Sequence, residues 1–130
     1  MSFLAQLTIE DKIMNVLECS FEFRVGTDNT GRPVQRLNGG EISILIESTS
    51  DIDFLEWVVM NTSKNGDLIF FKRDMLASAK TVNFANGFCI NYSEEFSSEG
   101  SIPMKTRITI SAEEITVNSY SYFKNWPTRE

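Results

Sequence analysis

Alternation of apolar and polar positions runs through most of the chain and predicts strands over most of its length. Residues 3–9 (FLAQLTI) are the first such segment, and Glu10-Asp11 reads as a turn into a second, from Lys12 to about Val25. In that second segment Cys19, Phe21, Phe23 and Val25 share one face, and Glu18, Ser20, Glu22 and Arg24 the other. Met14 and Val16, upstream, fall on the opposite parity. Strand side chains alternate with a period of two, so a parity change inside one strand requires a bulge or bend. The sequence places it near Leu17.

From Gly26 to Gly40 (GTDNTGRPVQRLNGG) the alternation stops. The segment is polar, carries four glycines and a proline, and reads as a long loop; structureless connections of this length are uncommon in compact domains and are usually either functional or disordered. From Glu41 the pattern resumes, with Ile42, Ile44 and Ile46 on one face and Glu41, Ser43 and Glu47 on the other.

A helix follows. Ser50 is the expected N-cap, with Asp53 three residues later completing a capping-box pattern, and Asp51 and Asp53 suit the positive end of the helix dipole. Ile52, Leu55, Val58 and Val59 form an apolar stripe that Phe54 and Trp57 widen. Asn61 to Gly66 ends the helix and leads into a strand from Asp67 to Arg73. After a break around Ala77 to Ala79, a long strand covers Thr81 to about Phe96, with Val82, Phe84, Phe88, Ile90 and Tyr92 on one face. SSEGS (97–101) is a loop, and a last strand from Met104 turns Met104, Ile108 and Ile110 inward and continues to Val117. The aromatic, polar tail from Asn118 has no assigned element.

These segments sum to about seven strands and one helix without α/β alternation. The expected fold is mainly β: an antiparallel β-barrel of about seven strands with one flanking α-helix, in a single domain spanning 1–130.

Composition narrows the chemistry. The formal net charge is −6, which opposes non-specific binding to nucleic acid or an anionic membrane. The start of the chain has no basic region or apolar run of a secretory signal, and no stretch approaches the roughly 18 apolar residues of a membrane span. Synthesis and folding in the cytosol are expected, and Cys19 and Cys89, both in apolar strands, read as buried reduced thiols. The chain has no histidine, which removes Ser-His and Cys-His activation and the usual zinc ligand. The carboxylate pairs Glu94-Glu95 and Glu113-Glu114 are sequence neighbours, which point to opposite faces of a strand. The expectation is therefore no enzyme, no cofactor and no metal.

Motifs add little chemistry. Gly26 and Gly31 have the spacing of a phosphate-binding loop, but Arg32-Pro33 stands where Lys and Ser or Thr are required, and no helix follows. Asp28-Asn29 and Asn65-Asp67 lack the acidic ladder of a calcium loop and fit turn chemistry. Lys72-Arg73 and Lys105 to Arg107 sit at strand edges, where they blunt the sheet or pair with acids.

Several segments together resemble a known family. MSFLAQLTI, NVLECSFEF, TDNTGRPVQRLNGGEISILIEST, DFLEWV, GDLIFFKRD and FCINYSEEFSSEGSIPMKTRITISAEEI span nearly the whole chain in the family's order. Gly31-Arg32-Pro33, Arg36, Gly39-Gly40 and Glu56-Trp57 are the most specific combination. The chain resembles Hcp (TssD), the tube protein of the type VI secretion system, in the form found in Bacteroidota.

The resemblance implies a β-barrel with a flanking helix, six copies closing into a ring, and rings stacking into a tube inside a contractile sheath. Contraction then drives tube and spike from a baseplate, with effector proteins in the lumen or fused to the tube protein. It implies assembly in the cytoplasm and secretion by the type VI machine without a signal peptide. The chain ends at residue 130 and resembles the unfused form. Six copies each carrying −6 repel, so rings should stack only where local complementarity or salt offsets the charge. The polar segment is the candidate ring–ring contact, through Thr30, Gly31, Arg32, Pro33, Gln35, Arg36, Gly39 and Gly40, with Arg32 and Arg36 meeting acidic residues of the next ring. Two other readings predict different behaviour: a tube protein of a phage tail or another contractile injection system, and a monomeric β-barrel binding a ligand by stacking on Trp57, Trp126 and the tyrosines.

Overall fold

The computed structural model describes residues 3–50, 52–72 and 78–124. The order is β1 (Phe3–Ile9), β2 (Lys12–Thr27), β3 (Pro33–Glu47), α1 (Phe54–Met60), β4 (Lys64–Lys72), β5 (Ser78–Phe96), β6 (Met104–Val117) and β7 (Tyr120–Phe123). Strands pair antiparallel in the order β3-β2-β1-β4-β5-β6-β7, and β3 pairs again with β6. Six strands thus close a barrel-like circuit, and β7 hangs on β6 outside it.

Two strand layers share β2 and β5. One is β2-β1-β4-β5, using β2 up to Asn15 and β5 up to Gly87. The other is β2-β3-β6-β5, in which β2 beyond Val16 and β5 beyond Gly87 form the outer strands. One buried cluster joins them: Leu7, Ile9, Leu68 and Val82 from the first layer and Ile42, Ile44, Ile46, Ile108 and Ile110 from the second are all fully buried. Each such side chain contributes about 1.5–3 kcal/mol relative to exposure.

The β1–β2 turn has Glu10 at φ 52° and Asp11 at φ 65°, the left-handed pair that matches the twist of a two-residue hairpin. The bulge expected near Leu17 is present. Val16 pairs with Ile46 and Glu18 with Leu45, so Leu17 is the extra residue and the inward set moves from Met14 and Val16 to Cys19, Phe21 and Phe23.

Several boundaries and faces differ from expectation. The N-cap of α1 is Asp53, not Ser50: the Glu56 amide donates to Asp53 Oδ1 at 3.0 Å. Ile52, just before the cap, is buried in the same cluster as Trp57, the positions of a hydrophobic staple, which holds the chain extended until Asp53. Asp51 lies outside the described residues. The buried face of α1 is Phe54 and Trp57, while Leu55 and Val59 of the expected stripe are exposed. The larger aromatics win the inward positions because they remove more apolar area from water, and the Trp57 indole N–H donates to the carbonyls of Thr62 (2.9 Å) and Gly87 (3.3 Å).

On β5 the expected single face is broken twice. Asn86 adopts φ 53°, and the register with β6 shifts between Cys89 and Asn91. Cys89 therefore points inward and Ile90 stands out, 53% exposed. β5 already includes Ser78 and Ala79, where a break was expected, with Ser78 opposite Phe71 and Ala79 the extra residue at a register shift; Ala77 and Arg73 lie outside the described residues. Met104 was expected inward, yet it is 38% exposed, because β6 begins beyond Glu47, the end of β3.

Candidate assembly surfaces

β3 pairs with β6 from Glu41 to Glu47 only. Upstream it pairs with β2 alone, Phe23 opposite Gly39, Arg24 opposite Asn38, Val25 opposite Leu37 and Thr27 opposite Pro33. Gly26 to Gly40 is therefore mostly a two-stranded arm with its turn at Asp28–Arg32, not a structureless loop. Ladder hydrogen bonds need no apolar alternation, so strands pair here where the sequence shows none. Where β3 leaves β6, β7 takes over the same edge, pairing with Glu114 to Val117.

Two glycines set the departure. Gly39 has φ 153°, and a Cβ there would stand 2.5 Å from the Glu22 carbonyl oxygen and 2.7 Å from the Phe23 ring. Gly40 has φ 90°, and a Cβ would meet Lys124 at 2.8 Å and Tyr122 at 3.1 Å. Here two β3 residues, Gly40 and Glu41, lie between the partners of Phe21 and Phe23. This bulge lets β3 turn away while Phe23 packs edge-on against Tyr122, with ring centroids 5.3 Å apart. An open groove of about 850 Å³ lies at the arm's base, between Glu22 and Arg24 of β2 and Tyr122 and Lys124.

The tip is organised by Asp28. Its Oδ1 accepts from Thr30 N (2.9 Å), Thr30 Oγ1 (2.7 Å) and Arg32 N (3.0 Å), while Gly31 N donates to the Asp28 carbonyl at 3.0 Å. The Thr30 hydroxyl, then the Thr30 and Arg32 amides, hold the Asp28 carboxyl below its usual range. Gly31 sits at φ 86° with open space around it. Thr30, Gly31, Arg32 and Pro33 are exposed at or beside the turn; Gln35 and Arg36 lie on β3, and their side chains fall outside the described part of the structure. The eight expected contact residues thus divide between the arm's tip, its β3 strand and its base. Asp28, the residue that shapes the tip, was legible only as turn chemistry.

The four-stranded layer has two open edges. β1 accompanies β2 only to Asn15, and β4 accompanies β5 only to Gly87. Beyond those points one edge of β2 and one of β5 has no strand neighbour among the described residues. The registers place the edges level: Val16 aligns through Ile46 and Thr106 with Glu94, and Phe21 aligns through Ile42 and Ile110 with Cys89. Leu17 and Ile90, both bulge residues on these edges, are 37% and 53% exposed. The outward face carries a row without charge, Ser20, Ser43, Thr109 and Asn91, aligned across all four strands.

The stacking platform of the ligand-binding reading is not available at Trp57, which is 1% exposed; Trp126 lies outside the described residues. Cys19 and Cys89 are free thiols, half-buried and buried, and Arg107 pairs loosely with Glu95 at 3.8 Å. Among the described residues no group of three or more His, Cys, Asp or Glu is placed to hold a metal, and no helix is long and apolar enough to cross a membrane.

Comparison with known proteins decides the family. The model of "Hemolysin coregulated protein Hcp (TssD)" matches residues 1–127. The chain belongs to the Hcp (TssD) family. Among solved structures it is similar to Hcp1 from Flavobacterium johnsoniae, at 32% identity and TM-score 0.86 over 93% of this chain and 99% of that one. Hcp1 from Salmonella typhimurium shares the fold at 11% identity and TM-score 0.74, over 94% of this chain and 92% of that one. The cap terminating the tube of the anti-feeding prophage does so at 15% identity and TM-score 0.56, over 89% and 88%. No curated protein sequence matches the chain. As an Hcp, it is a type VI secretion tube protein of a structural family, built for assembly with other tube components.

Proposed function

We propose that this Hcp is a single-domain subunit of the type VI inner tube, six copies closing into a ring and rings stacking head to tail, with effector proteins carried in the lumen. The observation that carries this reading is the four-stranded layer open at both edges at the same level. Unpaired strand edges are templates for another chain. β2 and β5 run in opposite directions across the layer, so a rotated copy brings its β5 edge to this β2 edge as an antiparallel pair. Such a heterologous contact closes when the rotation closes. The copy number follows the family resemblance.

The same geometry supports an orientation. Six four-stranded layers spaced at about 4.8 Å make a cylinder about 18 Å in radius before tilt. Six second layers about 10 Å further inside would have less than half the circumference, so they and α1 belong outside. The outward row Ser20, Ser43, Thr109 and Asn91 then lines the lumen as a belt of hydroxyls and amides, a surface that lets cargo slide. The sheath surrounds the tube, spike and baseplate cap it, and the particle assembles in the cytoplasm before expulsion.

Light scattering on the purified protein, with negative-stain images of the same fraction, tests this. Annular particles of six times the 14.8 kDa chain mass, some stacked, are expected. A monomer at every concentration and salt would sink the reading and favour the monomeric binding module.

A further inference from the structure

The registers give the subunit a direction. β6 runs from Met104, at the β5–β6 hairpin, to Val117; β3 pairs with its Lys105–Ser111 stretch, and the arm leaves beyond Ser111. The arm tip and the β5–β6 hairpin tip therefore occupy opposite ends of the four-stranded layer. In a head-to-tail stack, whatever one end presents must fit the other end of the next copy.

The two ends are chemically matched. The β5–β6 hairpin ends in Phe96 opposite Met104, 70% and 38% exposed, far more apolar surface than a polar hairpin tip requires. Exposed Glu95 and Glu99 flank that pair. The arm offers Val25, 42% exposed, and the exposed cations Arg24 and Arg32. The Asp28 carboxylate beside Arg32 accepts from the turn amides and the Thr30 hydroxyl, which fixes it within the turn and keeps it ionised, so the tip carries one acid and one cation. An arm with exposed Val25, Arg24 and Arg32 thus sits at one end, and at the other an exposed apolar pair with Glu99 in the hairpin loop and Glu95, which stands opposite Lys105 and 3.8 Å from Arg107, beside it.

We infer that the partner of the arm is the β5–β6 hairpin of a second copy in the next ring, with Val25 against Phe96 and Met104 and Arg32 facing Glu95 and Glu99. This rests on the stacked-ring reading and names the surface that receives the arm. Apolar contact supplies attraction that salt does not screen, and the charge pairs set register and partner choice.

The test is charge reversal with rescue, read as tube mass by sedimentation while light scattering follows the ring. Arg32→Glu and Glu99→Arg should each reduce tube mass roughly tenfold, since small exposed-pair effects repeat around every ring joint. Both should leave ring mass unchanged. The double variant should recover most of the tube. Arg32→Cys with Glu99→Cys should form chains of subunits linked between rings under mild oxidation. Rings that stack normally with either reversal, or a double variant no better than the singles, would overturn this joint and leave the tube reading standing. Absence of rings from the unaltered protein would overturn both.

Discussion

Phe23 and Gly39 pair across the base of the β2–β3 arm at a point with no room for a side chain, since a Cβ on Gly39 would lie 2.5 Å from the Glu22 carbonyl oxygen. Gly39→Ala should therefore force the two strands apart and cost about 2 kcal/mol, through the clash and the unfavourable φ. Gly31→Ala meets nothing within 4 Å and carries backbone strain alone, about 1 kcal/mol. Urea unfolding of the two variants checks the order, and equal losses would mean that the arm's base is not tightly packed.

Trp57 anchors the helix. Trp57→Ala removes a fully buried ring and leaves the Gly87 carbonyl without its indole partner, so a loss of about 3–5 kcal/mol is expected. Leu55→Ala and Val59→Ala, on the exposed face, should stay within about 0.5 kcal/mol. Thermal melts of the three variants would expose a wrongly assigned face.

Ile90 stands at the β5 open edge and packs into no core of its own chain. Ile90→Asp should leave the monomer's melting temperature nearly unchanged and shift light scattering from ring to monomer. Rings of normal mass in this variant would remove the β5 edge from the ring contact.

Burial pushes the Cys19 and Cys89 thiols up to about 11 from an ordinary 9.0. Raised folded-state values favour the protonated form in the fold. Their stabilising effect is complete below pH 9 and is lost as pH rises from 9 through about 11, because the unfolded chain releases its protons first. Melting temperatures at pH 8 and 10.5 should show this fall, and a Cys19→Ala, Cys89→Ala variant should fall less.

Much of the barrel was legible because its inward residues are strongly apolar and strictly alternating. The Leu17 bulge could be placed from parity alone. The arm was not legible as strand, since glycines and turn residues on both sides of the short run Val34–Leu37 interrupt the alternation. On α1, Phe54-Trp57 and Leu55-Val59 offer competing apolar stripes, and the core that receives the larger aromatics, with the Gly87 carbonyl accepting from Trp57, comes from strands distant in sequence. Gly39 and Gly40 were singled out as a pair, but their role as the point where β3 leaves β6 depends on Tyr122 and Lys124, more than eighty residues away in sequence. β7 was hidden because a four-residue edge strand of three aromatics and one serine carries too little periodicity.

The claim that strand edges close the ring is tested most directly by amide hydrogen exchange on the assembled particle. At residues 16–21 of β2 and 89–94 of β5, the amides on the open edges should be protected as strongly as those paired within the barrel, and should exchange fast in the Ile90→Asp monomer. Fast exchange at both edges in a particle of ring mass would contradict it, and would move the ring contact to another surface.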